Sequence, residues 1–175
     1  MGHMKVICLI LLSLLLLNCN NNQGGKSKKI VDKWVGHKII LPGLSEKEQN
    51  YSCNSLKVIT RINGDCYPCL TKLKDWSKFI SEINNDEHKI PLYFYIVTSD
   101  SSRYNEINRK EIKFDYPVIH DLNNDFLKKN KLLHNSYLQT MLLDKDNCIL
   151  LIGNPLNGSK LHDLYKKIIK NYHYD

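Results

Sequence analysis

Several features that would assign this chain to a common class are missing. Behind the pair Cys66 and Cys69 there is no second Cys-x-x-Cys at zinc-ribbon spacing, and the histidines are scattered, so a structural zinc site lacks its usual ligand set. The one long apolar run, 6–17, is too short for a comfortable membrane span. No stretch concentrates the formal net charge of +7. Lysines and arginines run in company with Asp and Glu, which describes a solvated surface with some attraction for anionic headgroups or acidic partners. No nucleic-acid motif is present, and no nucleic-acid partner is expected. His37, His88, His120 and His162 share no spacing that suggests a site and are expected at the surface or packed.

What is present centres on Gly64-Asp65-Cys66-Tyr67-Pro68-Cys69-Leu70. The residues before it, 56–62, are rich in β-branched and apolar types and predict a buried strand. After it, Leu70, Leu73, Trp76, Phe79, Ile80 and Ile83 recur at helical spacing. A cysteine at the first turn of such a helix faces unpaired N–H groups and the positive end of the helix dipole, which favours its thiolate. Cys66 is therefore the expected nucleophile. Cys69, one turn further in and more buried, is placed to resolve a mixed disulfide. Pro68 suits the first turn, and Tyr67 is expected to be exposed beside the sulfurs as part of a docking surface. A merely structural disulfide is the plainer alternative, but so short a loop would restrain the unfolded chain little.

The start of the chain suggests where such a centre works. Met4-Lys5, the apolar run and Asn18-Cys19 have the shape of a secretory leader, with Met1-His3 as a tag remnant. Leu16-Leu17-Asn18-Cys19 resembles the bacterial lipobox, whose cysteine is acylated. Two outcomes stay open, a lipoprotein anchored through Cys19 and an uncleaved signal anchor, and both place the domain outside the cytoplasm at the cell envelope. The expected layout is a leader over 1–19, a flexible tether over 20–29 and one folded domain over 30–175. Of the six cysteines, Cys53 and Cys148 remain unassigned, and a disulfide between them or two buried thiols are equally open.

Strands are expected within 30–41, over 91–97 and over 116–121, with helices over 104–114 and 123–130. A hairpin of 139–144 and 148–153 is followed by an amphipathic helix over 159–172 in which Leu161, Leu164, Ile168 and Ile169 share a face. This order argues for an α/β fold with a central mixed sheet flanked by helices.

From about Cys53 to the C-terminus the chain resembles the thioredoxin-like superfamily, in its exported, membrane-tethered thiol-disulfide branch related to alkyl hydroperoxide reductase and cytochrome c maturation reductases. The strand before Cys66-Tyr67-Pro68-Cys69 carries the match. Phe114-Asp115-Tyr116-Pro117-Val118 resembles that branch's strand-helix insertion, and Met141-Leu142-Leu143-Asp144-Lys145-Asp146 its hairpin, with Asn147 where glycine is usual. The resemblance implies an enzyme that exchanges disulfides with protein thiols and needs no cofactor or metal, and it leaves open whether a membrane thiol reductase regenerates the site. It also implies that the loop at Leu138 and Gln139 faces the dithiol and holds substrate. Three positions depart from the family: Leu138 replaces a cis-proline, Asp65 replaces a tryptophan and should oppose the Cys66 thiolate, and Thr60 stands near the place of a buried acid. Copper chaperones of the same fold lack that proline and bind metal through two thiols and a loop histidine, here His134, which keeps copper binding as an alternative. A non-catalytic binding lipoprotein is the third.

Overall fold

The computed structural model describes residues 22–45, 48, 55–84, 89–132 and 137–172. It divides after Trp34 into two units. The first contains helix α1 (Asn22–Trp34), which closes on Lys33, a cation suited to the negative end of the helix. The tether expected over 20–29 is thus helical from Asn22, despite two glycines that weaken a helix by about 1 kcal/mol each relative to alanine. Residues 30–34, expected to open the folded domain, continue this helix.

The second unit, Val35–Asp175, holds a five-stranded sheet in the order β3-β2-β1-β4-β5. Its strands are β1 (Lys57–Asn63), β2 (Leu92–Val97), β3 (Val118–His120), β4 (Thr140–Leu143) and β5 (Ile149–Ile152). The first three run parallel, while β4 lies antiparallel to β1 and β5 to β4. The mixed α/β sheet expected from the order of elements is therefore the observed one. The strand expected within 30–41 is reduced to a bridge between Lys38 and Cys148 at the β5 edge, bounded by Gly36 at φ +84° and by Pro42.

Strands β1 and β2 read as continuous apolar runs because both sheet faces are covered. On one face Val58, Ile62, Phe94, Ile96 and Leu142 meet Trp76, Phe79, Tyr104, Phe114 and Tyr165. Trp76 stands edge-on to Phe79 and Phe94, with ring centroids 5.6 and 5.4 Å away. The alternate residue Tyr95 stacks at 4.7 Å on Phe126, and its hydroxyl donates to the Pro42 carbonyl at 2.9 Å. Phe126 belongs to α5 (Asp125–Lys129), the short helix expected over 123–130.

The helix expected after the cysteine pair is two pieces, α2 (Tyr67–Thr71) and α3 (Leu73–Ile83). At the break the Thr71 hydroxyl donates to the Pro68 carbonyl at 3.0 Å, competing with the backbone for that acceptor. Helix α4 (Ser101–Ile107) starts ahead of its expected position because Asp100 caps it, accepting from the Arg103 N–H at 3.0 Å. It continues as a π-helical turn, Asn108–Ile112, and stops at Lys113 with φ 56°. In α6 (Ser159–Asn171) the expected face needs correction: Leu164 is 40% exposed, and Tyr165, fully buried, takes its place by donating to the Gly153 carbonyl at 2.8 Å.

The hairpin turn explains why asparagine stands at 147. Asn147 adopts φ 67°, a left-handed conformation that asparagine tolerates, and its side-chain oxygen accepts from the buried Lys57 ammonium at 2.7 Å. The same ammonium donates to the carbonyls of Asp144 and Lys145 at 2.9 and 3.0 Å. Glycine would supply the conformation without the acceptor.

Candidate functional site

The site forms where β1 ends. Gly64 is buried against β2: a Cβ there would stand 2.8 Å from the Ile96 Cγ2 and 2.9 Å from the Thr98 Cβ, so only glycine passes. Asp65 follows, and Cys66 is the N-cap of α2. The N–H groups of Cys69 and Leu70 donate to the Cys66 carbonyl at 2.9 and 3.1 Å, closing the first turn. Cys66 and Cys69 are joined as a disulfide, with Cα atoms 5.2 Å apart. Both are half-buried, and Cys69 packs against the main core cluster.

Around the pair, charge is unevenly arranged. The Asp65 carboxylate accepts the Thr98 hydroxyl at 2.6 Å and the Ser99 N–H at 3.0 Å. These bonds, Thr98 first, hold its carboxyl below the usual range, so a fixed negative charge stands beside Cys66. Tyr67 is 48% exposed and donates to the Glu111 Oε2 at 2.6 Å, which ties the motif to the π-helical turn and raises the phenol pKa. Pro68 is exposed as well.

Beside Cys69 lies a cavity of about 410 Å³ lined by Cys69, Lys72, Thr60, Thr140, Arg61 and Gln139, among others. Thr60, at the position where a buried acid was considered, is paired with Thr140 through hydroxyls 2.9 Å apart. Arg61 is half-buried, and desolvation lowers its pKa. Its Nη1 donates to the Gln139 Oε1 at 3.2 Å, and its Nε to the Asn124 Oδ1 at 3.3 Å.

The structure thus gathers Cys66, Cys69, Tyr67 and Pro68 on one turn and brings Gln139 to the cavity beside Cys69. Leu138 is fully buried and lies outside that lining. Among the described residues no peptide bond is cis and no group of three His, Cys, Asp or Glu side chains is placed to hold a metal ion. Cys19, Cys53, His88 and His134 lie outside the described residues. Cys148 is a half-buried free thiol. His162 meets the Glu82 Oε2 at 2.9 Å and packs edge-on to Phe79, and His120 stands edge-on to Tyr104. The sequence reading missed Arg61, Lys72 and Thr98. Only Arg61 gave a signal, as a cation inside an apolar strand.

No family model and no curated protein matches the chain. Solved structures do. The thioredoxin domain of a thiol-disulfide oxidoreductase from Bacteroides vulgatus superposes with a TM-score of 0.58 at 13% identity, over 77% of this chain and 97% of that one. A structure described as a putative thiol:disulfide interchange protein DsbE, from Chlorobium tepidum, gives 0.54 at 11%, over 78% and 94%. The peroxidoxin BcpB from Mycobacterium tuberculosis gives 0.51 at 14%, over 80% and 98%. At such identities the likeness is one of fold, and with the parallel β1-β2-β3 core, the antiparallel hairpin and a Cys-x-x-Cys opening the helix after β1, the chain has the thioredoxin-like fold.

Proposed function

We propose that the protein is an exported thiol-disulfide oxidoreductase that exchanges disulfides with protein substrates through Cys66 and Cys69. The observation that carries this reading is the Cys66–Cys69 disulfide at a half-exposed helix start in a thioredoxin-like fold. The structural neighbours named as thiol-disulfide oxidoreductases support it. In the reducing direction the Cys66 thiolate attacks one sulfur of a substrate disulfide. A Cys66–substrate bond forms, the substrate S–S bond breaks and the first substrate thiolate leaves to take a proton. Cys69, as thiolate, then attacks the Cys66 sulfur, the mixed disulfide breaks and the second substrate thiol departs. Two electrons pass to the substrate, and the site is left oxidised. The reverse sequence donates a disulfide.

The exposed Tyr67 and Pro68, with Gln139 at the cavity beside Cys69, form the surface that meets substrate in this reading, while Leu138, expected to share that role, is buried beneath it. The leader over 1–19, lipidation at Cys19 and the 20–29 segment hold the domain at the cell envelope, where a membrane thiol reductase would regenerate the dithiol.

A redox titration in dithiothreitol buffers, read by alkylation and mass, tests the proposal. A reversible two-electron midpoint is expected, and a pair that never cycles overturns exchange chemistry. In cells, Cys69→Ser should accumulate a mixed disulfide through Cys66 that thiol reductant releases. Recovery of the variant free of partners counts against protein substrates.

A further inference from the structure

Among the described residues, no acidic side chain lines the cavity beside Cys69. Its lining includes two cations, Arg61 and Lys72. Three of its amides have their oxygens already engaged: the Asn63 Oδ1 accepts the Asp65 N–H at 2.9 Å, the Asn154 Oδ1 accepts the Leu156 N–H at 2.9 Å, and the Gln139 Oε1 accepts from Arg61. Each amide is left with its NH₂ donors. Beyond its bonds to Asn124 and Gln139, the Arg61 guanidinium has no hydrogen-bond partner for its other N–H groups among the described residues. Asp121 is the nearby acid that acts on Arg61, but its carboxylate accepts the N–H groups of Asp125 and Phe126 at 2.6 and 3.1 Å. Asp65 keeps its negative charge beside Cys66, but it lies outside the lining of this cavity. The cavity therefore offers positive charge and spare donors next to a reacting sulfur.

We infer that this cavity is an anion subsite that selects disulfide substrates bearing a carboxylate a few bonds from the sulfurs, with Arg61 and Lys72 as the specificity residues. This rests on the exchange activity proposed above and adds a preference to it. A guanidinium suits a carboxylate through paired N–H donors, and a cavity walled by protein focuses the field of both cations on whatever enters. A cationic substrate finds the same wall repulsive. The carboxylate has two possible sources, a small acidic thiol compound or an acidic residue flanking a protein cysteine.

The test follows oxidation of the reduced full chain by dithiodiglycolate, hydroxyethyl disulfide and cystamine, which are anionic, neutral and cationic. Each probe supplies the oxidant: the dithiol becomes the Cys66–Cys69 disulfide and the probe becomes two thiols. Rates are normalised to those of the same probes with dithiothreitol. The anionic probe should exceed the cationic one by roughly tenfold at low salt, with the ratio shrinking as salt rises. Lys72→Gln, at an exposed position that cannot unsettle the core, and Arg61→Gln should each reduce it. Peptide disulfides with Asp or Lys beside the cysteine separate the sources. A preference among peptides assigns a protein flank, and one confined to the small probes assigns a small acidic compound. Equal normalised rates, or a preference that survives both substitutions, overturn the subsite. If no probe oxidises the pair, it is the exchange reading that fails.

Discussion

At the residue before the first cysteine, two effects compete for the Cys66 proton. The helix start favours the thiolate, and the ionised Asp65 opposes it. Asp65→Asn should therefore move the pH midpoint of Cys66 alkylation downward, measured in a Cys69→Ser background, whereas an unchanged midpoint would mean that solvent screens the carboxylate. The same group carries a stability signature. Because folding lowers the Asp65 pKa, chiefly through the Thr98 hydroxyl, its contribution is present above the unfolded value near 4 and is lost as pH falls through the folded one. The denaturation midpoints of the native protein and Asp65→Asn should differ at neutral pH and converge once the pH has fallen through the folded-state pKa of Asp65. One residue earlier, Gly64→Ala would drive a methyl into Ile96 and Thr98, and the nearby Val97 carbonyl oxygen, 3.3 Å from such a Cβ, leaves little room to yield. A cost of about 1–3 kcal/mol is expected in chemical unfolding, with the Asp65–Thr98 contact disturbed as well.

Among the elements, those that follow one strong period were legible in the sequence, and those shaped by a single polar contact were not. The motif strand, the apolar β2 and the hairpin declared themselves through runs of apolar and β-branched residues, whereas the register of β1 against β2 and β4 is seen only in the structure, because runs buried on both faces do not alternate. At the break between α2 and α3 the Thr71 hydroxyl takes the Pro68 carbonyl, and the early start of α4 follows the Asp100 cap. Tyr165 outranks Leu164 because its ring fills the core while its hydroxyl finds the Gly153 carbonyl, a partner that no helical periodicity reveals. Lys57 is the sharpest case, a lysine at the start of an apolar strand that lies fully buried and fastens the β4-β5 turn. Lys57→Met keeps the length of the side chain and removes the donors, leaving two carbonyls and Asn147 without them. It should cost about 3 kcal/mol in chemical unfolding. A variant as stable as the native protein would show that water replaces the ammonium at no cost.

For the whole molecule, the motif gave the candidate chemistry and the order of elements gave the fold, but the surroundings of Cys69 required three dimensions. Arg61 and Lys72 flank the motif in sequence, but Gln139 and Asn154 come from far along the chain and join them because the antiparallel β4 returns beside β1. The leader stands in the opposite position, readable in sequence and outside the described residues. Its two outcomes separate by a measurement on the intact chain. If Cys19 is the acylated residue, Cys19→Ala should abolish incorporation of labelled fatty acid in a bacterial host. The Cys66–Cys69 midpoint should stay where it was, because the thiols that set it lie in the Val35–Asp175 unit. A lone fatty chain holds a protein at a membrane only marginally, so stable attachment through Cys19 alone requires the multiple acyl chains of a processed lipoprotein. Membrane attachment of Cys19→Ala that resists salt and alkaline washing would instead favour an uncleaved apolar anchor over 6–17, with Cys19 incidental to it.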